Sequence, residues 1–146
     1  MFKLKTVILS LAVLSVSCIN EHDIGISCAD PIGSEDYVTA DESWMCFLPD
    51  INGCFRIELQ TTPQIRSVYY DDHIYGWIKD VGIKNCLSEI TEKPLDEFSY
   101  LLPLVEHHGY VVRFPDNSIG RFYIDSFDTD SFGHVTRVNI IRQHNY

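Results

Sequence analysis

Along much of the chain, apolar and polar residues take turns. Phe55, Ile57 and Leu59 alternate with Arg56, Glu58 and Gln60. That order puts apolar groups on one face of a strand and polar groups on the other. Asn52-Gly53, just before the run, is a turn dipeptide because both residues tolerate positive φ. Residues 44–48 then form the partner strand of a hairpin. Residues 66–70 and 74–79 read as a second pair, joined by Asp71-Asp72-His73. Further on come GYVVRF (109–114), a turn at 115–118, GRFYID (120–125), a longer polar loop over 126–133 and HVTRVNIIR (134–142). Short connections between such runs imply an antiparallel meander. The fold class is therefore mainly β, a small antiparallel barrel or sandwich.

Three stretches depart from period two. Ile83, Cys86, Leu87 and Ile90 fall at i, i+3, i+4 and i+7, one face of a helix. The spacing predicts one short helix over 83–92, stopped by Pro94. Residues 95–106 are ambiguous, and Pro103 argues against a continuous central strand there. Residues 19–41 are polar, with Gly25, Pro31 and Gly33 and no sustained period. They read, from Cys18 onward, as a tether ahead of a single β-rich domain spanning 42–146.

The opening is different again. Lys3 and Lys5 precede the ten-residue apolar run VILSLAVLSV (7–16), and Ser15, Ser17 and Cys18 follow. A basic start, a short apolar core and a small-residue exit describe a secretory signal over 1–17. Ten helical residues cover about 15 Å, half of a ~30 Å hydrocarbon layer, too little for a permanent span. Small residues ahead of Cys18 resemble a lipoprotein exit, in which the cysteine takes the lipid. The third position before the cysteine is Ser15, where Leu is usual. Ordinary cleavage after Ser17 stays open. The expected location is a bacterial cell envelope, with the chain held to a membrane through a lipid on Cys18.

Cysteine arithmetic agrees. Cys18, Cys28, Cys46, Cys54 and Cys86 make five, and an odd count in an exported chain leaves one over. Lipid on Cys18 leaves four for two disulfides. Cys46 and Cys54 flank a turn-rich stretch and can face each other across the hairpin. Cys28 then pairs with Cys86. No pair has CxxC spacing, so zinc has little support.

The 146 residues suggest one domain, and 45% hydrophobic composition suffices for a core. The net charge is -10. Without residues 1–17 it becomes -12, 21 acids against 9 bases. Such a surface repels phosphate backbones, which excludes nucleic acid as a partner.

Candidate chemistry is sparse. His107-His108 on a strand would point to opposite faces, which disfavours a shared metal. Asp125, Asp128, Asp130 and Gly133 partly match a calcium loop, but Phe132 stands where an oxygen ligand is needed and Asn139 where the bidentate Glu belongs. Asp71, Asp72 and His73 offer acid–base groups in a turn, and a small hydrolase using Asp71, His73 or the His107-His108 pair is the enzyme alternative. A Cys86–histidine nucleophile is conceivable. There is no G-x-S-x-G elbow and no phosphate-binding glycine loop, and no cofactor is called for. The aromatics Tyr69, Tyr70, Tyr75 and Trp77, with Tyr110 and Tyr123, lie on strands or their ends. Tyr69 and Tyr70 cannot both be buried if one face is wet. An exposed cluster among them could take a glycan or a protein partner. The bland alternatives are core packing and a purely structural envelope component.

One resemblance bears on this. Ile74-Tyr75-Gly76-Trp77-Ile78-Lys79-Asp80-Val81-Gly82, then His108-Gly109-Tyr110-Val111-Val112-Arg113, then Arg121-Phe122-Tyr123-Ile124 resemble a family of small lipoproteins of unknown function from Gram-negative gut bacteria. That family shows G-W-x-x-D-x-G, H-G-Y-V and R-x-Y segments, and the likeness covers roughly residues 45–142. The resemblance implies an envelope lipoprotein with a β-rich domain, and it implies no reaction.

Overall fold

A computed structural model describes residues 28, 34–39, 44–48, 53–67, 69–70, 73–74 and 76–146. The signal segment and Cys18 lie outside these residues. Among these residues eleven strands appear in order: β1 (Ser34–Thr39), β2 (Trp44–Cys46), β3 (Cys54–Glu58), β4 (Gln64–Ser67), β5 (Tyr69–Tyr70), β6 (His73–Ile74), β7 (Trp77–Ile83), β8 (Leu101–Pro103), β9 (His108–Arg113), β10 (Ile119–Thr129) and β11 (Val135–His144). They form a five-stranded sheet, β1-β11-β10-β9-β7, a four-stranded sheet, β2-β3-β4-β8, and a two-stranded ribbon, β5-β6. All pairings are antiparallel. The two sheets pack face to face as a sandwich, which decides between the two expected architectures. Among the described residues, no helix is long and apolar enough to cross a membrane.

The alternation explains the core. Met45, Phe55, Ile57 and Ile65 point inward from the smaller sheet, and Ile78, Tyr110, Val112, Phe122, Ile124, Val138 and Ile140 from the larger one. Tyr110 stacks on Phe122 at 4.7 Å between ring centres. Phe47 packs edge-on against Phe55 and Phe114.

Four expectations change. The second hairpin pairs only at its tip, where Tyr69 meets Ile74 and Tyr70 meets His73. Behind the tip, β4 stays in the smaller sheet while β7 crosses to the larger one. Gly76 permits the crossing: its φ is +123°, and a Cβ there would lie 2.8 Å from Phe55 Cζ. The loop expected over 126–133 is strand as far as Thr129. Ile124 pairs with Ile140 and Ser126 with Asn139, so Asp125 is a bulge residue. The bulge shifts the inward parity from Phe122 and Ile124 to Phe127, which hid the strand from a period-two reading. Within the stretch read as tether, Ser34–Thr39 is β1, an edge strand on β11. The helix over 83–92 shrinks to one 3-10 turn, Leu87–Glu89, and Ile83 ends β7 facing solvent. Cys86, Leu87 and Ile90 are buried as their spacing implied. Pro103 sits on the edge strand β8, where a missing N–H costs no ladder bond.

The larger sheet is also covered on part of its outer face, while Tyr37 of β1 and Arg137 of β11 stay exposed there. The segment around the 3-10 turn lies across its outer side as a strap. Leu87 and Ile90 meet Val111 and Tyr123, with Val81, Phe98, Ile141 and Tyr146 packed around them. Gly109 lets the strap approach, since a Cβ there would fall 2.7 Å from Ile90 Cγ1. Arg121, buried beneath, donates to the Ile90 carbonyl at 2.7 Å and to Gln143. Its guanidinium also lies under the Tyr146 ring.

Candidate functional site

Two disulfides join Cys46 to Cys54 and Cys28 to Cys86. The first ties β2 to β3 at directly opposed positions. The second fastens residue 28 to the root of the strap, on the outer side of the larger sheet. Two bridges of this kind belong to an oxidising compartment, as in exported proteins.

The expected polar candidates do not converge. His107 lies in the turn before β9 at positive φ and His108 opens the strand, and their rings part. His107 is exposed, with Nδ1 2.9 Å from the Tyr123 hydroxyl. His108 is half-buried, with Nδ1 2.9 and 3.0 Å from the two Asp80 carboxylate oxygens. Asp80 also accepts the Gly82 N–H at 2.7 Å, so the pair closes the β7 bulge. Among the described residues, Asp125, Asp128 and Asp130 do not come together as one ligand group. Asp130 caps the β10–β11 turn, accepting the N–H groups of Phe132 (2.8 Å) and His134 (2.9 Å). These backbone donors, His134 first, hold its carboxyl below the ordinary range despite slight desolvation. Asp128 accepts from Asn139 and faces Arg137. Asp125 lines a shallow depression of about 100 Å³ with Tyr37 and Asn139. Among the described residues, one group of potential metal ligands comes together, Cys28, Cys86 and Glu89. Its two sulfurs are already bonded to each other.

Of the aromatic candidates, Trp77 is half-buried under Arg113, whose guanidinium also covers Phe98, 4.6 Å from the ring centre. Arg113 donates to the Leu95 carbonyl as well, so this stack clasps the strap to the sheet. Tyr75 and Asp71 lie outside the described residues, as do the side chains of Tyr69, Tyr70 and His73.

The face that stands open is the outer side of the smaller sheet. Register places Trp44 opposite Arg56, Arg56 opposite Arg66, and Arg66 opposite Leu101. These four side chains make one row across all four strands. Trp44 is 48% and Leu101 40% exposed, and the two arginine side chains are 51% and 42% exposed. Glu58, one step along β3, bridges to Arg66 and lies 4.0 Å from Arg56. One carboxylate thus serves two guanidinium groups. Each strand's outward parity is readable in the sequence. The row itself is not, because it depends on the relative register of four strands.

Compared with known protein families, curated proteins and solved structures, the chain matches none.

Proposed function

We propose that this chain is an exported, lipid-anchored binding module of a bacterial envelope that presents the outer face of the β2-β3-β4-β8 sheet to its ligand. The observation that carries the binding role is the asymmetry of the sandwich. One outer face is covered over much of its width by a strap, a buried arginine and the Cys28–Cys86 disulfide. The other bears an aromatic, two arginines and a leucine in solvent. Buried or capped groups stabilise a fold, whereas exposed aromatic and arginine side chains in one row are the composition of binding surfaces.

The anchor rests on the opening sequence and on the cysteine left over once four are paired. Cys28 is fastened to the strap by its bridge to Cys86. Ten residues from Cys18 to Cys28 reach at most about 36 Å. Mass analysis of the mature chain tests the anchor. A diacylglycerol-sized addition on an amino-terminal Cys18 is expected, and an unmodified Cys18 or an intact residue 1 overturns it.

A further inference from the structure

Resting on that reading, we infer that the open face binds an acidic polysaccharide, with Arg56 and Arg66 taking sugar carboxylates and Trp44 stacking on a ring. The first argument is the cost of the row. Like charges directly opposite one another on a sheet destabilise it. The chain has 21 acids and only 11 lysines and arginines, so an acidic neighbour was the readily available choice. Two arginines opposed across β3 and β4, with Glu58 alone between them, is an arrangement stability does not select. Local rules are broken in this way where a site needs the groups. A guanidinium pair in an acidic molecule selects anions, and its planar fork fits carboxylates in bidentate fashion.

The second argument is size. Three strand spacings make the row about 14 Å long, and the five residues of β3 make the face about 17 Å deep. That is under about 300 Å², against about 800 Å² per partner in a standard protein interface. The face is too small for a folded protein or a second copy, yet it matches a short run of sugar rings lying across the strands.

The test uses the mature chain, with affinity electrophoresis and calorimetry on alginate (a polyuronate) and on dextran as the neutral control. Alginate binding that weakens with salt is expected, with a loss of at least about tenfold in Arg56→Gln/Arg66→Gln and in Trp44→Ala. Arg137→Gln, which removes an exposed arginine elsewhere, should leave it intact. Unchanged denaturation midpoints show that the variants remain folded. Absent alginate binding, equal binding of dextran, or equal loss in Arg137→Gln overturns the inference. So do binding to anionic lipid vesicles in place of alginate and concentration-dependent dimers abolished by the row variants. Dextran binding that is lost in Trp44→Ala but kept in the arginine variant removes the acidic ligand while leaving the binding-module reading standing. Alginate binding indifferent to all three row residues removes both.

Discussion

Tyr110→Phe is the sharpest probe of the sandwich. The Tyr110 hydroxyl donates to the Pro103 carbonyl and accepts the Val105 N–H, each at 3.0 Å. It thereby stitches the end of β8 to the start of β9. Phenylalanine keeps the ring and its stacking on Phe122, so the variant isolates the hydroxyl. Two hydrogen bonds at about 1 kcal/mol each, with a penalty for the unpaired N–H and some recovery by water, give a loss of about 2 kcal/mol. That is roughly a 30-fold change in the unfolding equilibrium. Urea denaturation followed by tryptophan fluorescence reads it, with the m-value unchanged. A second arm uses pH. Burial first, and the Asp80 charge second, push the Tyr110 pKa far above its ordinary value. The unfolded chain releases this proton near pH 10 and the folded chain keeps it. The stability it contributes is whole below pH 10 and falls as pH rises, by about 1.4 kcal/mol per unit. Tyr146, raised to about 12 mainly by burial, adds the same sign over a narrower window. The variant should therefore have a shallower alkaline slope, by one tyrosine's share. A loss under about 0.5 kcal/mol, or an identical slope, refutes the role assigned to the hydroxyl.

Four further outcomes are expected. The Cys28–Cys86 bridge closes a separation of 58 residues and Cys46–Cys54 one of 8. Chain entropy then predicts losses of about 4 and about 2.5 kcal/mol for the paired serine variants, and a reversed order in denaturation contradicts the loop-length account. Gly109→Ala should cost about 1–3 kcal/mol by pressing on Ile90 and Lys84, and it should speed amide exchange across Leu87–Glu89. Gly133→Ala, with open space around it, should cost only the positive-φ penalty of about 1 kcal/mol. Arg121→Met should lose about 2–3 kcal/mol through the Ile90 and Gln143 hydrogen bonds, again loosening the strap. Unchanged exchange there means that Arg121 does not hold it.

What the sequence makes legible is local. Alternation at Phe55–Ile57 and in GYVVRF fixed strands and faces, and Cys46 and Cys54 announced their bridge through the turn between them. The unreadable parts are those where one chain position answers to a distant one. The Asp125 bulge erased the alternation that would have extended β10. Asp71-Asp72-His73 signalled a hairpin, but nothing nearby tells β4 and β7 to separate behind it. Asp80 meets His108 only because β7 lies against β9. The helical spacing at Cys86, Leu87 and Ile90 correctly named a buried side, and a strap with one 3-10 turn satisfies that spacing as well as a helix does. The Trp44–Arg56–Arg66–Leu101 row likewise waits on register.

The pairing of Ser34 with Arg142 joins nearly the first described strand to the last. A polypeptide delivered amino-terminus first displays β1 long before β11 exists, and β10 too must wait for its neighbour. Contacts so far apart in sequence are slow to form. In the interval, unsatisfied strand edges invite pairing with other nascent copies. Arrival of the final strand, more than early collapse, thus sets the moment at which a newly made molecule becomes safe from aggregation.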